Sequence, residues 1–84
     1  MRLPIIKHSL QFIEEHDEDY ILETLDVLEH LADAPGIKDE ELNTIGELIS
    51  NLSGALEVNN EIKNGAEPKK ALNGFMKRVV GSID

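Results

Sequence analysis

Apolar residues recur along this chain at spacings of three and four. No stretch alternates apolar and polar positions as a half-buried strand would, so the pattern is helical from end to end. Leu3, Ile6, Leu10 and Ile13 form one stripe, widened by Ile5 and Phe12, and predict a first helix over 3–15. Pro4 suits its first turn, where the missing N–H has no intrahelical partner to lose. His16, Asp17, Glu18 and Asp19 then interrupt the pattern. Asp17 is placed to cap the next helix, and the acids after it lie where the helix dipole favours negative charge. The second helix is expected over 18–33, with Ile21, Leu25, Leu28 and Ala32 on its centre line and Tyr20, Thr24, Val27 and Leu31 flanking them. Leu22 falls outside that arc and is expected to be exposed or to face a partner. Ala34-Pro35-Gly36 ends the helix, because proline cannot continue it and glycine relaxes the turn.

The third helix is the longest, expected over 39–64 and about 39 Å long if unbroken. Leu42, Ile45, Ile49, Leu52 and Leu56 make a heptad-like seam, broadened by Leu48, Ala55 and Ile62. Beside the seam runs a line of small residues, Gly46, Ser50 and Gly54, with Ser53 adjacent. Asn64-Gly65 is a stop signal. A fourth helix opens near Pro68 and is expected to end near Val80, with Leu72, Phe75, Met76, Val79 and Val80 on one face. Gly81-Ser82-Ile83-Asp84 reads as a short tail from which Ile83 could reach the core. The connections are short, so successive helices should be antiparallel neighbours. The expected fold is all-α: a single domain over 1–84, a four-helix antiparallel bundle-like arrangement with one long central helix.

Composition narrows the function. The chain has 84 residues and 40% of them are apolar, enough for one small core but not for a catalytic domain with a regulatory partner. It has no cysteine, which removes thiol chemistry, disulfides and thiolate-held metals. No apolar run is long enough for a signal peptide or a membrane span, so a soluble, cytoplasmic protein is expected. The net charge of -9 is unevenly placed: residues 1–42 carry 12 acids and 3 bases, and residues 43–84 carry 5 of each. An acidic half with no basic surplus elsewhere argues against nucleic-acid and anionic-membrane partners.

No motif marks an active site. The acids from Glu14 to Asp19 contain no glycine for a calcium-loop turn and read as a solvated helix junction. His8, His16 and His30 form neither HExxH nor Glu-x-x-His, and no serine sits in Gly-x-Ser-x-Gly. No catalytic residue, metal ligand or cofactor is expected, and the chain is not expected to be an enzyme. Lys69 and Lys70, with Lys77 and Arg78, could form a docking patch for an acidic partner, but the simpler reading is favoured: Lys69 and Lys70 are solvated, and Lys77 and Arg78 complement a helix C-terminus. The line Gly46, Ser50, Gly54 is more informative. A glycine inside a helix costs about 1 kcal/mol relative to alanine, and close approach of another helix would offset that. That helix could belong to the same chain or to a second copy. Because the long third helix outruns its neighbours, a homodimer built around it is expected, with a further, unidentified protein partner possible in principle.

Three stretches bear a resemblance together: Leu3-Pro4-Ile5-Ile6-Lys7, the run from Asp39 through Val58 that includes Thr44-Ile45-Gly46-Glu47-Leu48-Ile49-Ser50, and Ala71-Leu72-Asn73-Gly74-Phe75-Met76-Lys77-Arg78 onward to Asp84. They resemble a family of short, all-helical proteins from Bacteroidetes-type bacteria with no assigned activity. The resemblance implies a gene neighbourhood with thioredoxin-type and peroxiredoxin genes, but this chain brings no thiol to such chemistry. It transfers no site residue.

The leading expectation is therefore a non-catalytic helical interaction or accessory protein that self-associates. The alternative is a small acidic carrier or inhibitor of acyl-carrier-like or immunity-like type. A carrier needs Asp-Ser-Leu at a helix start, and the nearest match, His8-Ser9-Leu10, falls inside the first helix. An immunity-type inhibitor usually anchors through aromatic residues, which are scarce here.

Overall fold

Four helices follow one another: α1 (Leu3–Glu15), α2 (Asp19–Ala32), α3 (Asp39–Lys63) and α4 (Pro68–Ile83). The computed structural model describes residues 2–83, with side chains up to Val79. No strand occurs among the described residues. The first three helices end within a residue or so of where the pattern places them. The fourth does not: it continues through Gly81 to Ile83 instead of stopping near Val80, so the expected tail is helix. The expected core roles of Val80 and Ile83 lie outside the described side chains.

The helix ends follow the local chemistry. The N–H groups of Ile5 and Ile6 both donate to the Arg2 carbonyl at 3.1 Å, and Pro4 stands between Arg2 and them with no N–H to satisfy. At the next start the boundary residue is Glu18, whose own backbone is already helical at φ -67° and ψ -20°. Asp17 acts from one position further out, its Oδ1 accepting the Asp19 N–H at 3.0 Å. The Glu41 carboxylate reaches back to accept the Lys38 N–H at 3.0 Å, which satisfies a donor at the start of α3. Gly36 (φ 80°) and Gly65 (φ 105°) supply the left-handed backbone that closes the turns after α2 and α3.

α3 is the hub, and each of the other helices packs chiefly against it. Three contacts fix directions. The Arg2 N–H donates to Asn51 Oδ1 at 2.8 Å, so α1 begins level with the middle of α3. At its far end, Glu18 accepts from Asn59 Nδ2 at 3.0 Å and from Lys63 Nζ at 2.9 Å. α1 therefore runs parallel to the second half of α3. α2 returns antiparallel against α3, and α4 comes back over the second half, where Arg78 reaches Glu61 at 3.2 Å and Glu57 at 3.7 Å. The result is the expected antiparallel bundle-like fold around a long central helix.

The interior gathers where α1 and α4 meet α3. Ile6, Ile13, Ile21, Ala55, Val58, Ala71 and Phe75 are buried, with Leu10, Leu25, Leu52, Leu56, Ile62, Leu72, Met76 and Val79 packed around them. The deepest face of α3 is Asn51, Gly54, Ala55 and Val58. This corrects the expected seam: Leu42 is exposed, and Ile45, Ile49, Leu52 and Leu56 are half-buried. The reason is placement. α1 starts only at Asn51, so the first half of α3 is left largely to α2, while small residues from Gly54 onward let other helices approach closely. Residues 39–50 contain no buried residue at all.

This arrangement leaves the molecule open. Its accessible surface is 5998 Å², against about 5,000 Å² for a compact protein of this mass. The radius of gyration is 13.7 Å, where about 12 Å is usual for this length. The principal extents are 43 × 34 × 17 Å, so the molecule is flattened along one axis.

Candidate functional site

α2 and the first half of α3 form a two-helix lobe. Each helix can cover one face of the other, and among the described residues α2 packs chiefly on α3 alone. Eight large apolar side chains are exposed among the described residues, and six of them are here: Tyr20, Leu22, Val27, Leu31, Leu42 and Leu48. Leu22 is exposed as its position off the α2 stripe predicts. Tyr20, Val27 and Leu31, expected to flank the core, are exposed as well, Val27 by 58% and Tyr20 by 56%. Their spacing of seven and four places them on one face of α2. The line continues onto α1, where the Phe12 ring meets Tyr20 edge-on at 5.7 Å and His16 lies 4.5 Å from Phe12.

The same lobe concentrates charge. Residues 19–50 hold nine acids and one lysine, Lys38. The surface is therefore apolar and strongly negative at once.

The small-residue line divides. Gly54 is buried inside the chain, whereas Gly46 and Ser50 are exposed. Nothing lies within 4 Å of where a Gly46 side chain would begin. Both residues line a hollow of 490 Å³ with Arg2, Leu42, Asn43, Glu47 and Asn51. Asn51, which the pattern reading passed over, is the buried polar residue of this region. Its Oδ1 holds the Arg2 N–H and its Nδ2 donates to the Glu47 carbonyl at 2.7 Å. The signal for it was an amide lying off the apolar seam, with no chemistry attached.

Away from the lobe, Lys69 and Lys70 are exposed and belong to no ion pair among the described residues. Arg78 is engaged, bonded to Glu61 and lying 5.9 Å from the Phe75 ring centre. The acid cluster before α2 is more than a solvated junction, because Glu18 clamps Asn59 and Lys63. Its hydrogen bond and charge, with lesser help from Asp17 and Asp19, hold the Lys63 ammonium above the ordinary lysine range. A groove of 890 Å³ opens between α1 and α4, floored by Leu10, Ile13, Ile62 and Leu72 and rimmed by Lys7, Glu14 and Lys69. No sequence signal announces it, since it arises from how α1 and α4 diverge over α3. Among the described residues, no group of three His, Asp or Glu side chains is arranged to hold a metal, and no buried side-chain polar atom lacks a partner. No helix among them is long and apolar enough to cross a membrane.

The chain matches the family of unknown function DUF6952 over residues 1–84 and belongs to that family. This agrees with the resemblance as far as a family without assigned activity; the match carries nothing about source or gene neighbourhood. No curated protein and no solved structure matches it.

Proposed function

We propose that the chain is a non-catalytic helical protein-interaction protein that works through the α2–α3 lobe. One observation carries this reading: six of the eight large apolar side chains exposed among the described residues sit on α2 and the first half of α3. Exposed apolar surface gathered in one place, rather than scattered, marks an interaction surface. The open shape of the single chain agrees. A chain without cysteine suits a reducing, cytoplasmic setting.

Self-association through α3 is part of the proposal, and Gly46 supports it. An exposed helical glycine weakens the helix and gains nothing from its own chain in return. Backbone-to-backbone approach of the same helix in a second copy would supply the gain. Gly46→Ala tests this. In the single chain the methyl group enters open space, so helix stability should rise by about 1 kcal/mol. Across a close helix pair the same methyl group intrudes, so the dimer should weaken. Sedimentation equilibrium reads both proteins; a wild-type chain that stays monomeric into high micromolar concentration would sink the self-association. The carrier alternative fares worse, because the Ser9 hydroxyl donates to the Ile5 carbonyl at 2.8 Å within α1 instead of standing at a helix start. The acidic-inhibitor alternative would use the same lobe, with Tyr20 and Phe12 as its aromatic anchors.

A further inference from the structure

We propose that the outer face of α2 (Tyr20, Val27 and Leu31, continued by Phe12 on α1) docks a basic amphipathic helix of a partner protein. This rests on the interaction reading above and names the partner's chemistry.

The face has the geometry of a helix seat. Tyr20 to Leu31 spans twelve residues, about 16 Å along the helix axis, or three turns. Apolar side chains recur along it with a helical period, so an incoming helix with apolar residues at three- and four-residue spacing can lay its stripe alongside. The Phe12–Tyr20 contact extends the seat past the end of α2.

Charge selects the occupant. Glu23 lies three residues after Tyr20 and four before Val27, so it borders both on the helix surface. Asp19 and Asp26 follow on the same side, and the lobe as a whole has nine acids against one lysine. A second copy laid on this face would set Asp19, Glu23 and Asp26 against their own counterparts, so the α2 face suits an occupant of opposite charge. An anionic membrane would be repelled in the same way. A partner helix with lysine or arginine beside its apolar stripe gains apolar burial and opposite charge together, and the field would speed encounter.

The test titrates the isotope-labelled full chain with a synthetic leucine–lysine helix of about five turns. One control peptide has the same composition shuffled to remove the apolar face, and a second replaces lysine with glutamate. Vesicles rich in phosphatidylglycerol form another arm. The amphipathic basic peptide should shift resonances of Phe12 and residues 20–31, and its affinity should fall about tenfold from low to moderate salt. Val27→Lys combined with Leu31→Lys should weaken it by tenfold or more, whereas Leu22→Lys, on the far flank of α2, should not; circular dichroism checks that each variant stays helical. Equal binding of the shuffled peptide, binding of the glutamate peptide or the vesicles in its place, or no binding would overturn the proposal. If no peptide binds but lobe resonances still move with protein concentration, the basic-helix partner falls and the interaction reading stands. If the shifts fall in the α1–α4 groove instead, both fall.

Discussion

Residues 51–63 and residues 39–50 belong to one helix and live in different surroundings. The second half of α3 contributes Asn51, Gly54, Ala55 and Val58 to a sealed interior shared with α1 and α4. The first half carries Leu42, Ile45, Leu48 and Ile49, yet buries none of them. By side chain alone the two halves are similarly apolar: four of twelve residues in the first, and five of thirteen in the second. Burial follows neighbours and backbone approach: small residues allow α1 and α4 to come close, and large aliphatics with one adjacent helix stay half in water. The interaction surface proposed above lies on this α2–α3 lobe, where large aliphatics have no interior to fill.

The contrast is sharpest when one apolar side chain is cut from each region. Ile6 is completely buried, and Ile6→Ala should lower unfolding stability by about 2–5 kcal/mol, through lost burial and the cavity left behind. Val27→Ala in the lobe should change it by less than about 0.5 kcal/mol. Urea unfolding followed by circular dichroism measures both. Comparable losses would mean that the lobe is as much a part of the core as the interior is.

Amide hydrogen exchange follows the same division within α3. After correction for intrinsic rates, and at low micromolar protein, residues 42–50 should exchange at least about tenfold faster than residues 54–62. Raising the protein concentration should slow the first half selectively if two copies meet there. Uniform protection along the helix would erase the difference between the halves.

Much of this was legible in the sequence. The three- and four-residue spacing gave the helices, Gly36 and Gly65 marked turns, and the off-stripe position of Leu22 foretold its exposure. The helix period finds an apolar face but does not say whether another helix arrives to cover it. Tyr20, Val27 and Leu31 therefore read as core flank and turn out to be surface. Gly46 and Gly54 looked alike for the same reason, although one is open and the other packed. The α1–α4 groove and the hold of Glu18 on Asn59 and Lys63 depend on residues more than forty positions apart, a separation no local pattern encodes. Asn51 was missed because a helical amide becomes informative only once a backbone N–H from another helix is seen to need it.

The smallest effect concerns the clamp that ties the α1–α2 junction to the end of α3. Lys63 has its pKa raised above the ordinary lysine range, first by the hydrogen bond to Glu18, then by the Glu18 charge, with Asp17 and Asp19 adding to it. A raised folded-state value means that the folded protein holds this proton more tightly than the unfolded chain does. The resulting stabilisation is fully present below the unfolded-state value, near about pH 10.4, and is lost as pH climbs through the folded one. The pair is exposed, so the contribution is modest and weakens with salt. Lys63→Met isolates it from the other alkaline titrations, because everything else is common to both proteins. The melting-temperature difference between wild type and Lys63→Met should hold steady from neutral pH to about pH 10 and then shrink towards zero. A difference that stayed constant through that range would show that the ammonium charge is not its source. Asn59 would then hold Glu18 unaided, and the junction would be fixed by packing against the buried half of α3 instead of by charge.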